Sequence, residues 1–272
     1  MKNIFIKILI LILLTSCFAK KAKEGIFANN LTIKWNSEYG VKMLERSNYK
    51  QDFYELAGFF QPQINPLYCA IASSVIILNA INFDKNNISS QKKLEVRRPE
   101  IFGGGMIPFK SYSQLSLLNS KTDIIKREEV ISMKNIDDKR MNIDPGVTLG
   151  QLKDILELYG TEVTKYHVKK YSKQELDFFR KKVKNITQDK DRYMIINFDG
   201  KKVGLKTGGH MSPLVAYNQE NDSVLMMDVA GHKNGWYWVK INDLLRAVNS
   251  KDGNNYRGYL VIKNNVKLIK IK

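Results

Sequence analysis

One cysteine, one histidine, one aspartate and one glutamine in this 272-residue chain have the types and spacing that acyl transfer through a thiolate requires. Cys69 stands in residues 59–82, FFQPQINPLYCAIASSVIILNAIN, where an apolar run long enough for a core helix follows Pro66. Proline suits the first helical turn, where its missing N–H costs nothing, so the sequence predicts Cys69 in or near that turn. There the unpaired backbone N–H groups and the positive end of the helix dipole favour a thiolate, the form that acts as nucleophile. The structural alternative is a small thiol packing inside an apolar helix.

A cysteine nucleophile also needs a base for its proton, a group that orients the base, and donors for the oxyanion of the tetrahedral intermediate. The chain has three histidines. His167 lies among Lys165, Lys169 and Lys170 between two expected helices, and His232 lies in Gly231-His232-Lys233-Asn234-Gly235, a solvent-exposed loop by composition. His210 follows Thr207-Gly208-Gly209 and opens an apolar strand, so its side chain can project from the end of a sheet. If strands over 210–217 and 224–230 form a hairpin centred near Gln219, His210 faces Asp228 and the carboxylate can orient the imidazolium. A turn centre two residues later brings His232 into that position instead. Asp228 ends the apolar run Val224-Leu225-Met226-Met227, which predicts a partly buried acid in need of a partner; a surface acid at a strand end is the alternative. Gln63, six residues before Cys69, can present its side-chain amide beside the Cys69 N–H as an oxyanion hole, with Gln61 as the nearby rival.

A chain of this length with 43% hydrophobic residues buries one sizeable core, and one catalytic domain over 51–272 is the simplest count. The first residues, MKNIFIKILILILLTSC, give two lysines, an apolar run from Ile8 to Leu14 and small residues before Cys17. Residues 1–16 therefore read as a secretory signal, too short for a membrane span. Leu14-Thr15-Ser16-Cys17 also resembles a bacterial lipoprotein lipobox, whose cysteine is acylated; ordinary cleavage after Ala19 is the competing reading. Either way the chain is expected to leave the cytoplasm, and the lipobox places it on a membrane facing the periplasm or cell surface. Cys69 is then the one thiol left, with no intramolecular disulfide partner, and a solitary thiol in an oxidising compartment is expected to have a use. The net charge of +17 comes from scattered lysines. With no arginine-rich stripe, zinc-finger spacing or RNP-like motif, nucleic acid is not an expected partner, whereas a basic surface suits anionic lipid.

The elements that must position these residues follow from pattern. Residues 17–50 are polar and lysine-rich and read as a tether and irregular lead-in. After the Cys69 helix, 84–99 reads as a polar connection and Phe102-Gly103-Gly104-Gly105-Met106 as a loop, with no Gly-Lys-Ser/Thr to make it a phosphate cradle. Thr148 with Gln151 predicts a capped helix over 149–159 closed by Gly160, and Ser172-Lys173-Gln174-Glu175 predicts a second with Leu176, Phe179 and Val183 at helical spacing. From Tyr193 the pattern turns to strands over 193–198, 210–217, 224–230, 236–239 and 258–262, with a short helix over 243–248 capped by Asn242. Helices followed by consecutive strands predict an α+β fold.

Several of these stretches, in order over residues 59–262, resemble the catalytic domain of phytochelatin synthases: FFQPQINPLYCAIASSVIILNAI, Pro145-Gly146-Val147-Thr148-Leu149-Gly150, GHMSPLVAYNQENDSVLMMDVA, Trp238-Val239 and Arg257-Gly258-Tyr259-Leu260-Val261-Ile262. The resemblance implies a papain-like architecture, with an N-terminal helical lobe carrying the Cys69 helix and a C-terminal antiparallel sheet carrying His210 and Asp228. The family's Cys, His, Asp and oxyanion-hole Gln match Cys69, His210, Asp228 and Gln63, and the 141 positions from Cys69 to His210 fall in the papain-like range. The implied reaction is cleavage of glutathione at its Cys–Gly bond through a γ-glutamylcysteinyl thioester. Water then gives γ-glutamylcysteine, and a second glutathione gives phytochelatin. No cofactor is required; heavy-metal ions or metal-thiolates enter as activators or substrates through the resemblance, which also leaves a homodimer open. Arg257 matches the arginine before the family's final strand and could hold the γ-glutamyl carboxylate or form a structural salt bridge. Two departures stand out. Gly231 occupies a position where family members commonly carry arginine, so a substrate contact is either missing or supplied by Lys233, and the cysteine-rich C-terminal region of plant-type members is not expected after Ile262. Together they predict hydrolysis over polymerisation. Double-glycine leader peptidases, which also place a Gln before the Cys, supply a peptidase reading, and an inactive fold used for binding supplies a non-enzymatic one.

Overall fold

The computed structural model describes residues 30–82, 94–97, 101, 106–109, 111–126 and 146–264; the expected signal, Cys17 and the loop glycines 103–105 lie outside the described residues. In chain order the elements are β1 (Thr32–Lys34), α1 (Glu38–Glu45), α2 (Gln51–Ala57), α3 (Cys69–Asn82), β2 (Leu94–Arg97), β3 (Met106–Phe109), α4 (Leu149–Leu158) and β4 (Thr161–His167). There follow α5 (Lys173–Ile186), β5 (Arg192–Asp199), β6 (Gly209–Asn218), β7 (Ser223–Met226), β8 (Tyr237–Lys240), α6 (Ile241–Val248), β9 (Lys251–Asp252), β10 (Asn255–Tyr256) and β11 (Gly258–Asn264). Seven strands make one antiparallel sheet in the order β1-β8-β7-β6-β5-β11-β4. Helices and an antiparallel sheet make this an α+β fold.

Both faces of the sheet are covered, which explains the apolar run from Tyr193 to Ile196 in β5. Tyr193 and Ile195 join the core shared with α3 and α4, while Met194, Ile196 and Phe198 join the core shared with α5 and α6. Alternate side chains of a strand point to opposite faces, so a strand buried on both sides has no polar alternation to show. The helix α3 is likewise buried nearly all round, from Ala70 to Asn82. Its polar residues are satisfied internally: Ser74 Oγ donates to Ala70 O at 2.9 Å, and the Asn79 amide exchanges two hydrogen bonds with the Tyr112 backbone, at 3.0 and 2.7 Å.

Several expectations need correction. Pro66 lies in the turn before α3, not in its first helical turn. Asn65 folds that turn, its Oδ1 accepting Leu67 N–H at 2.9 Å and its carbonyl accepting Tyr68 N–H at 2.9 Å. Tyr68 O then accepts the first helical bond from Ala72 N–H at 2.8 Å, which makes Cys69 the first residue of the helix. Residues 30–50 are more than a lead-in: β1 pairs with β8 at the sheet edge, and Ser37 caps α1 by accepting Gly40 N–H at 3.1 Å. The connection expected over 84–99 contains β2, which pairs with β3, and His167 ends a strand, β4, rather than an inter-helix loop. The hairpin strand expected over 224–230 stops at Met226, and α6 starts at Ile241, with Asn242 inside it and accepting a hydrogen bond from Tyr171. The capping box of α4 is as expected, with Thr148 and Gln151 bonding reciprocally at 2.9 and 3.3 Å. At α5 the Ser172 hydroxyl accepts Glu175 N–H at 3.1 Å.

The far-face core can be tested through Phe179, fully buried with its ring 5.0 Å from that of Tyr259. Phe179→Ala is expected to cost about 3–5 kcal/mol, read as a lower urea midpoint at unchanged m-value, because it leaves a cavity as well as losing burial. A loss below about 1 kcal/mol would contradict the packing described.

Candidate active site

Cys69 is the free cysteine among the described residues and keeps partial exposure at the start of α3. The first turn of α3 is stapled to β6: Ser73 Oγ lies 2.7 Å from Cys69 O and 3.2 Å from Met211 O. The residue before Met211 is His210, so the staple fixes thiol and imidazole relative to one another. Burial pushes the Cys69 thiol pKa up, but the hydrogen bond and charge of His210, with the N–H groups of Met211 and Ala70, pull it down further, and the net is a pKa below the ordinary value.

His210 is the second residue of β6, opposite Phe198 of β5, whose ring it meets edge-on at 5.7 Å. Its Nε2–H donates to Asp228 Oδ1 at 2.7 Å. Burial disfavours the imidazolium, yet the Asp228 hydrogen bond and the Cys69 thiolate outweigh it and raise the His210 pKa from its ordinary 6.5 to about 10. Asp228 is fully buried and richly bonded: Ala230 N–H donates to Oδ1 at 2.7 Å and Asn234 Nδ2 donates to Oδ2 at 3.1 Å. Ser212 Oγ lies 3.1 Å from His210 Nε2 and accepts Val229 N–H at 3.3 Å.

The structure brings His210 and Asp228 together by a different route from the one expected. The β6–β7 turn is centred between Glu220 and Asn221, not at Gln219, with Asn218 opposite Ser223 and a bulge between Leu214 and Ala216. Met227 N–H bonds to Pro213 O at 2.9 Å, and the chain leaves the ladder there. In that register Asp228 lies across from Ser212, and His210, two residues along, is its diagonal neighbour on the same face. His232 is exposed in the following turn, and His167 Nδ1 lies 2.6 Å from Tyr256 O, away from the thiol.

Gln63 is held beside the Asp228 segment. Its N–H donates to Val229 O at 2.9 Å, beside Asp228, and its Nε2 donates one hydrogen to Asn65 O at 3.0 Å. An amide nitrogen carries two hydrogens, so a second is left to donate. Gln63 Oε1 is buried without a hydrogen-bond partner. Arg257 lies over Gly209, where a Cβ would meet its Nη2 at 2.6 Å, so a side chain there would push the guanidinium aside. Its guanidinium donates to Asn197 Oδ1 at 2.6 Å and lies 3.4 Å from Asp252 Oδ1, while Nε is buried without a partner. Lys233 is exposed and lines a depression of about 520 Å³ together with Lys34, Lys206 and Asn234. Among the described residues no group of three or more His, Cys, Asp or Glu side chains is placed to hold a metal ion.

Two contributors escape the sequence reading. Ser212 is within reach of pattern, since residues two apart on a strand share a face and place it beside His210. Asn234 is not, because it reaches Asp228 through the turn in which Lys233 and Asn234 N–H bond back to Ala230 O at 2.8 and 3.1 Å.

Comparison with known proteins gives the family of the chain. The family model described as phytochelatin synthase matches residues 26–259, and the chain belongs to that family. It is 27% identical over 215 residues to glutathione gamma-glutamylcysteinyltransferase 1 of Arabidopsis thaliana, covering 78% of this chain and 37% of the relative. It is 26% identical over 216 residues to glutathione gamma-glutamylcysteinyltransferase 3 of Lotus japonicus, with 78% and 37% covered. The glutathione gamma-glutamylcysteinyltransferase of Schizosaccharomyces pombe is 23% identical over 215 residues, with 78% and 44% covered. The chain thus spans well under half the length of these relatives.

The electrostatics of the pair set a pH profile. A thiol pKa below the ordinary value keeps the thiolate as pH falls past that value, and an imidazole raised to about 10 stays charged as pH rises to there. Alkylation of Cys69 by iodoacetamide is therefore expected to be fast and flat through neutral pH, falling on the acid side only at the lowered thiol pKa. In His210→Ala the inflection moves up and the rate at pH 7 drops about tenfold or more, as the thiolate fraction does. Superimposable profiles would contradict the pairing.

Proposed function

We propose that this member of the phytochelatin synthase family is a papain-like cysteine enzyme that cleaves the Cys–Gly bond of glutathione through a γ-glutamylcysteinyl thioester on Cys69. The observation that carries the reading is the pairing of His210 with the buried Asp228 at 2.7 Å beside Cys69, whose thiol the imidazole draws toward its ionised form. A thiolate already paired with an imidazolium needs no deprotonation before attack. Cys69 Sγ adds to the carbonyl carbon of the substrate cysteine, and the new oxyanion meets the Cys69 N–H and the free hydrogen of Gln63 Nε2. His210 gives its proton to the glycine nitrogen, the C–N bond breaks, and the thioester remains. His210, now neutral, takes a proton from water or from the amine of a second glutathione as either attacks, and Cys69 leaves as thiolate. The first acceptor gives γ-glutamylcysteine and the second gives the transfer product.

Asp228 holds the imidazole ring in orientation throughout, and Arg257, one residue from His210 across Gly209, is assigned to the γ-glutamyl carboxylate. The substrate's own thiol is untouched by these steps, so a heavy-metal thiolate of glutathione fits the same chemistry. The first residues support export and anchoring through a lipidated Cys17.

Mixing the purified protein with glutathione and quantifying glycine tests this directly. Wild type is expected to release glycine with γ-glutamylcysteine or a transfer product, and Cys69→Ala to lose ~10³-fold or more. Equal release by the two proteins, or none by wild type, would overturn the proposal.

A further inference from the structure

The residues on either side of Gln63 are held by one side chain. Gln114 is 4% exposed; its Oε1 accepts Ile64 N–H at 3.0 Å and its Nε2 donates to Pro62 O at 2.9 Å. The amide orientation is fixed by chemistry, since a backbone N–H can only donate and a carbonyl can only accept. With Gln63 N–H on Val229 O, the tripeptide 62–64 is tied from two sides: to the Asp228 segment on one and to Gln114 on the other. Ile64 is 58% exposed and Leu115 is 56% exposed, so apolar burial does little to fix this tripeptide and the hydrogen bonds carry the restraint.

Gln114 is itself anchored. Two residues earlier, the Tyr112 backbone exchanges its two hydrogen bonds with Asn79 of α3. A closed circuit results: α3 holds Tyr112, Gln114 holds 62–64, and the chain returns through the Asn65 turn to Cys69 at the start of α3. We infer that Gln114 is a positioning residue for the oxyanion hole, setting where the Gln63 amide stands relative to Cys69. The inference rests on the proposed role of Gln63 but not on the identity of the substrate.

Two reagents at Cys69 separate positioning from folding. p-Nitrophenyl acetate acylates the thiolate through a tetrahedral oxyanion, whereas iodoacetamide alkylates it by displacement, with no oxyanion formed. Gln114→Ala is expected to slow acylation about tenfold or more while alkylation stays within about twofold, since loss of an oxyanion donor outright costs ~10²–10³-fold. Gln114→Glu keeps the acceptor for Ile64 N–H and loses the donor to Pro62 O, and should fall between; it also carries the test if the alanine variant does not fold. The Gln63→Ala, Gln114→Ala double variant should acylate no more slowly than Gln63→Ala alone. A loss in Gln63→Ala with none in the Gln114 variants, additive losses, or acylation and alkylation falling together would overturn the positioning role. Acylation at the wild-type rate by Gln63→Ala would overturn the reading of Gln63 and the positioning role with it.

Discussion

A thiolate in a part-buried cleft is stable only where a positive charge is fixed beside it, and that requirement organises this molecule. Desolvation disfavours the ionised forms of both Cys69 and His210, yet each is shifted toward its charged form: His210 by Asp228 first and the Cys69 thiolate second, and Cys69 by His210 together with the N–H groups of Met211 and Ala70. The imidazolium is in turn sustained by Asp228, a fully buried carboxylate that accepts from His210, Ala230 N–H and Asn234. Buried charges are tolerable when paired and hydrogen-bonded, and removing one member leaves the others uncompensated. The three residues therefore act as one electrostatic unit.

The fold delivers that unit by closing strands and helix around it. β6 lies between β5 and β7 in a sheet covered on both faces, so His210 near its start has little freedom. The helix α3 is anchored to the same strand by Ser73, and the Asn65 turn delays its start until Cys69. That delay matters chemically: as the first helical residue, Cys69 has a backbone N–H with no intrahelical acceptor, and Ala70 N–H is free to serve the thiolate. The Gln63 loop, bonded to Val229, joins the helix start to the Asp228 segment. Sheet, helix and loop thus meet where the acyl group would form.

Much of the site is legible in the sequence because its residue types are rare in this chain: one cysteine outside the first residues and three histidines, two of them in poor settings. The pairing of His210 with Asp228 follows even from a hairpin register that the structure corrects, because a diagonal neighbour on the same face lies within reach of a long side chain. Caps at Thr148 and Ser172 can be read because capping is local. What stays hidden is long-range or obscured by composition. The lysine- and asparagine-rich stretch before residue 50 conceals β1 and α1, and β4, with Thr161 and Val163 buried between exposed neighbours, is too polar to announce itself. The contact of Gln114 with Pro62 and Ile64 spans some fifty residues and is fixed by tertiary packing alone. The substrate class comes from family resemblance, not from spacing.

The central claim, that Cys69 is the atom on which the acyl group forms, is tested most directly by intact-protein mass spectrometry after rapid acid quench of the enzyme with glutathione, followed by peptide mapping. The account predicts an adduct equal to γ-glutamylcysteine less water, carried by the peptide containing Cys69 and absent from Cys69→Ser. Glycine released while Cys69 stays unmodified at every quench time, or an adduct mapped to another residue, would contradict it.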